Sequence, residues 1–222
     1  MFEMFARKVV DPEWGNYYEL TTWGYMALIG VMLCVLLAAA FGSKARKIST
    51  RQLVFCAMAM ALALVTSNLK LWRMPMGGSV TLFSMLFISL IGYWYGLRTG
   101  LLTAIAYGLL QLIIDPYVIS LPQLFIDYIF AFGALGLSGL FSGSKNGLYK
   151  GYAISVLGRF AFAFISGVAF FGSSAAGYRM TVPVYSICYN GAYIFTEAAI
   201  TFMVLALPPV REALGRIKVI AL

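Results

Sequence analysis

The chain contains no histidine and few charges: only 11% of its 222 residues are Asp, Glu, Lys or Arg. Without imidazole there is no His metal ligand, no His general acid or base, and no Ser-His-Asp triad. The three cysteines, Cys34, Cys56 and Cys188, lie in separate apolar runs with no CxxC spacing, which argues against a disulfide framework or a thiolate metal site and for packing roles. No GxxxxGK[ST] sequence is present, so the chain does not hydrolyse ATP through a P-loop. What the chain has in abundance is apolar surface. Hydrophobic residues make up 62% of it, and a mean hydropathy of +0.88 marks a polytopic membrane protein. The net charge of +8 comes from bases placed between apolar runs, where they orient helices and do not form a nucleic-acid-binding face.

Apolar runs at roughly 20–41, 53–69, 79–95, 97–114, 121–141, 151–171 and 183–207 predict seven spans, two of them short and most near the ~20 residues a bilayer core requires. The first run follows an acidic, aromatic lead-in, MFEMFARKVVDPEWGNYYEL, with no small-residue cleavage site. It is therefore expected to remain as a helix. Lys44, Arg46, Lys47 and Arg51 mark the 42–51 connector as cytoplasmic. Alternation then puts Arg98, Lys145, Lys150, Arg211, Arg216 and Lys218 on the same side and Lys70, Arg73 and Arg179 outside. The expected class is an all-α integral membrane protein. Its parts are an N-terminal lead-in and extra helix at 1–47 and a six-helix substrate-binding domain at 48–222.

Polar residues stranded in the spans point to a site. A carboxylate in a lipid-spanning helix costs a few kcal/mol on insertion scales, and such residues usually face a cavity, a partner or a ligand. Asp127 and Asn190 fall at similar depths in their spans, bordered by Tyr128, Tyr185 and Tyr189, with Glu197 further along. A carboxylate beside aromatic faces suits a planar cation. The alternative is an internal network in which Arg159 neutralises Asp127. MPMGGSVTLFSM at 74–85 reads either as a ligand-covering turn, Gly77 and Gly78 admitting close approach, or as a plain loop and helix start. Tyr117 lines the site or anchors the interface. Ala57 and Ala61 form one small-residue face and Ala59 and Ala63 a second, for a partner helix or for internal packing. GLSG at 136–139 superficially matches the rhomboid GxSG, but Ser138 has no His to activate it. Asp115 and Asp127 carry no GxGD motif. No catalytic residue, cofactor or metal is expected.

MPMGGSVTL, YGLRTGLLTAIAYGLLQ, DPYVISLPQLFIDY, FISGVAFF and VYSICYNGAYIF, in that order, resemble the thiamine-specific substrate-binding (S) components of energy-coupling factor vitamin transporters, the ThiT family. The resemblance spans about 48–210 and implies a six-helix bundle that is not an enzyme. Such a protein captures a vitamin from outside and delivers it through a membrane scaffold protein and two cytoplasmic ATPases. Carried over by position, it implies ligand contacts at Asp127, Tyr128, Tyr117, Gly167, Tyr185 and Asn190, with Gly78 and Phe171 added from the residues themselves, and scaffold docking at Ala57 and Ala61. The chain departs from the family pattern where Asp127 replaces a frequent Glu, where Ala163 stands near a His position, and where Phe171 and Gly78 stand near Trp positions; Phe170, Phe171, Trp72 and Tyr189 are the candidate replacements. Thiamine is the favoured ligand, with a pyrimidine precursor or related cationic heterocycle as the alternative. A stand-alone carrier using Asp127 or Glu197 as proton site is the rival transport reading, and an intramembrane enzyme or structural subunit the third.

Overall fold

The computed structural model describes residues 48–222 and, before them, residues 4, 6–11, 15–24, 26–27 and 30. The span expected at 20–41 lies for the most part outside the described residues. Within the lead-in, strands β1 (Ala6–Asp11) and β2 (Gly15–Leu20) pair antiparallel in a hairpin that the sequence reading did not foresee.

From Ser49 onward the chain is predominantly helical. Ser49 caps α1 (Thr50–Asn68) through its side chain, which accepts from the Gln52 amide. After α1 the chain turns back in a two-residue-per-strand hairpin, β3 (Trp72–Arg73) with β4 (Ser79–Val80), around a single 3-10 turn at Pro75–Gly77. Then come α2 (Ser84–Tyr95), α3 (Leu97–Ile114), the composite helix α4 (Leu121–Phe141), α5 (Gly147–Phe170), the short α6 (Gly172–Gly177), α7 (Val182–Ala206) and α8 (Pro208–Ala221). Five of these, α1, α3, α4, α5 and α7, are long and apolar enough to cross a bilayer.

One predicted span is corrected. The run at 79–95 does not begin as a helix, because Ser79 and Val80 are spent on the hairpin. The 12 residues of α2 cover roughly 18 Å at ~1.5 Å each, short of a bilayer core of ~30 Å. The N-terminus of α2 therefore starts inside the bundle, and the strap at 74–83 leads down to it.

The inner half of α4 is the hub of the bundle, packed by α2, α3 and α5, while α7 packs on α5 and α1 on α2. Small residues permit the close approach: a methyl on Gly100 would fall 2.6 Å from Gly92 Cα and 2.8 Å from the Gly136 carbonyl. Ser138 of the GLSG stretch is fully buried and donates to the Ser89 carbonyl at 2.6 Å, a packing contact between helices. At one end of the bundle lie the connectors bearing Lys70, Arg73, Asp115 and Arg179. At the other lie Arg98, Lys145 and α8, which docks its apolar side through Val210 and Leu214 and lays Lys218 over the Tyr93 ring at 4.1 Å.

Candidate ligand-binding site

Two local departures from ideal helix build the site. The first is the strap. Pro75 opens its turn, Met76 and Gly77 take positive φ angles of 61° and 87°, and Gly78 passes so close to α7 that a methyl there would overlap Tyr189. The Tyr189 hydroxyl holds the strap in place, accepting from the Gly78 amide at 2.9 Å and donating to the Pro75 carbonyl.

The second departure is in α4, where Phe125–Phe130 forms a π-helical turn. A π turn accommodates an extra residue and is frequent at functional sites. Here it carries Asp127 and Tyr128, which both line the cavity. Asp127 Oδ2 accepts from Gln123 Nε2 at 2.6 Å, one helical turn earlier. Gln123 also donates to the Tyr117 carbonyl at 3.0 Å and accepts from the Ile119 amide at 3.1 Å. The Tyr128 hydroxyl accepts from the Tyr117 amide at 2.7 Å and donates to the Asp115 carbonyl at 3.2 Å. The connector at 115–120 is thus tied to the same turn that holds the acid.

Between strap, connector, α3, α4, α5 and α7 lies a cavity of about 160 Å³. All eight ligand-contact residues expected from the sequence border it: Gly78, Tyr117, Asp127, Tyr128, Gly167, Phe171, Tyr185 and Asn190. Tyr117 stacks on Phe171 with ring centroids 6.0 Å apart and planes 22° from parallel. Tyr185 stacks on Tyr189 at 5.8 Å. Gly167 is a glycine because a methyl there would collide with Ser186 and Asn190 of α7. Asn190 itself ties α7 to α5: its Nδ2 donates to the Ala163 carbonyl at 3.1 Å, and its Oδ1 accepts from Tyr193 at 3.0 Å. Of the candidate replacements for missing aromatic cover, Phe171 and Tyr189 reach the cavity, whereas Phe170 and Trp72 do not line it.

The charges divide between mouth and floor. Lys70 and Asp115 form an ion pair where α1 and α3 end. Arg159 also lines the cavity, with its guanidinium 4.4 Å above the Phe132 ring. Among the described residues no ion pair joins Arg159 to Asp127, so the internal neutralisation weighed from the sequence is not made as a direct contact. Glu197 is 3% exposed and is not among the lining residues; Thr81 and Ser84, which are, both donate to it. Among the described residues no group of His, Cys, Asp and Glu is arranged to hold a metal ion.

Sequence reasoning missed Gln123, which is 2% exposed and directs the acid, and Tyr193 and Lys70 at the cavity wall. The spacing of Gln123 and Asp127, four apart on one helix face, was the available signal.

Ala57 and Ala61 are exposed on the outer face of α1, whereas Ala59 and Ala63 are 7% and 0% exposed and pack into the bundle. The two alanine pairs thus have opposite surroundings.

Comparison with known proteins agrees with this architecture. The family model described as "Thiamine transporter protein" matches residues 53–214. The thiamine transporter ThiT of Bacillus subtilis (strain 168) is 36% identical over 148 residues, covering 60% of this chain and 76% of that protein. The solved structure of a ThiT from Listeria monocytogenes superposes with a TM-score of 0.60 at 24% identity, over 71% of this chain and 94% of that one. It supports the fold.

Proposed function

The chain belongs to the thiamine transporter protein family, a multi-pass membrane family of transporters and not of enzymes, and from that premise we propose that it is the substrate-binding subunit that captures thiamine from the extracellular side for ATP-driven uptake by an energy-coupling factor transporter. The observation that carries the reading is the cavity, in which the Asp127 carboxylate meets a wall of aromatic rings. Thiamine joins a cationic ring to an aminopyrimidine. A carboxylate held by neutral donors, the Gln123 amide among them, leaves its charge for that cation, and flat tyrosine and phenylalanine faces cover planar rings. Tyr128, Tyr185 and Phe171 cover the ligand, Asp127 pairs with its charge or polar edge, and Asn190 holds the wall behind it. Gly78 and Gly167 leave room.

The partners in this reading are a transmembrane scaffold protein and two cytoplasmic ATPases. The exposed Ala57 and Ala61 give the scaffold a smooth helix face to pack on. Calorimetry of the purified protein with thiamine and with its pyrimidine precursor tests the ligand; stronger binding of the precursor reassigns the substrate. Uptake in a host with and without the scaffold and ATPases tests the coupling. Undiminished uptake in their absence would sink the subunit reading in favour of a stand-alone carrier.

A further inference from the structure

Glu197 lies roughly four turns into α7 and is buried within the bundle, where a carboxylate needs a structural reason. Its Oε1 accepts from the Ser84 hydroxyl at 3.0 Å and from the Met85 amide at 3.1 Å, and its Oε2 accepts from the Thr81 hydroxyl at 2.6 Å. Thr81 and Ser84 are themselves 2.9 Å apart. These donors sit at the N-terminus of α2, the helix too short to reach the outer surface. A helix start leaves backbone N–H groups unpaired, and the residue before it usually supplies a side-chain oxygen. Here that residue is Phe83, in left-handed conformation with φ 61° and no side-chain cap. Glu197 supplies the missing acceptor from another helix, and the positive end of α2 favours its charge.

The same residues border the cavity. Met76, Gly77, Gly78, Ser79, Thr81 and Ser84 all line it. The strap that carries most of them is fastened to α7 near its tip by Tyr189, with the Tyr185 hydroxyl 4.0 Å from Met76 Sδ, and at its inner end by Glu197. We propose that Glu197 is a positioning residue for ligand binding, fixing the inner end of the 74–83 strap and thereby the height at which Gly77 and Gly78 close over the cavity. The inference rests on the ligand-capture reading for its consequence, while the fastening itself is independent of what the ligand is.

The test uses the full chain and compares hydrogen exchange of the ligand-free protein with the kinetics of thiamine release. In Glu197→Ala, exchange rises in the strap and first turn of α2 and stays at the parental level in α5. Thiamine then dissociates at least about tenfold faster, the lower end of the range for losing a charge-assisted hydrogen bond, with association unchanged. In Glu197→Gln one oxygen still accepts from Ser84 and Met85 while the amide turns to Thr81, so both readouts return close to parental values. Unchanged strap exchange in Glu197→Ala overturns the proposal. If exchange instead rises through the whole bundle, the Thr81→Val, Ser84→Ala double variant decides: a rise confined to the strap supports the positioning role, and any other pattern overturns it. A parent that binds no thiamine refutes the ligand reading, and strap exchange then decides the role of Glu197 by itself.

Discussion

At Asp127 the sequence and the structure converge on one carboxylate, which accepts a hydrogen bond from the neutral amide of Gln123. Asp127→Asn keeps the size and the π turn but removes the charge, so thiamine affinity should fall by about 1.5–3 kcal/mol, the range for hydrogen bonds to charged groups. A neutral pyrimidine should lose less, and titration calorimetry with the two ligands separates the cases. Asp127 was legible because a charge in an apolar run is expensive and so conspicuous. Gln123 was not, because a Gln just after Pro122 reads as an ordinary first helical turn, and its buried role depends on a connector that folds back over it. Asn190 was found for the same reason as Asp127, but its work lies partly in holding α5 to α7, which one sequence does not reveal. Gly167 sits at that seam. A methyl there meets Ser186 and Asn190, so Gly167→Ala should overpack the site by about 1–3 kcal/mol and lower both the melting temperature and thiamine affinity in a thermal-shift titration.

At the scale of elements, long apolar runs between Gly, Pro and charged punctuation fixed the spans within a few residues: α3, α4, α5 and α7 lie where hydropathy puts them. The failure at 79–83 has a physical cause. Val80 and Leu82 are apolar whether they extend a helix or a strap buried inside the bundle, and hydropathy cannot separate the two. The π turn is equally silent, since it changes the helix by one residue's rotation and leaves composition untouched. Its consequence is local and testable. The Tyr128 hydroxyl joins α4 to the 115–117 connector through two hydrogen bonds. Tyr128→Phe leaves the Tyr117 amide without that partner, at a cost of about 1–3 kcal/mol where the group stays dry. Hydrogen exchange of the 115–120 connector should accelerate while exchange in the inner half of α4 stays unchanged. Acceleration throughout α4 would instead show that the hydroxyl supports the helix itself.

For the whole molecule, the outward and inward alanine pairs of α1 divide folding from assembly. Ala59 and Ala63 pack within the bundle, and Ala63 sits beside the Tyr107 hydroxyl, which donates to its carbonyl at 3.2 Å. A Trp at Ala63 has no space to enter and should unfold the bundle, abolishing thiamine binding. Ala57 and Ala61 are exposed and do not line the cavity, so Trp at either should leave the cavity and its walls unaltered. If that face meets a scaffold helix, the added bulk holds the two helices apart, because in lipid their association depends on close packing and not on hydrophobic expulsion. Ala57→Trp and Ala61→Trp should therefore keep parental thiamine affinity in detergent while losing co-purification with the scaffold and ATP-driven uptake. Ala63→Trp should lose all three. Retained uptake in both outer variants would remove this face as the docking surface, and loss of thiamine binding in them would show that α1 supports the cavity across its full circumference.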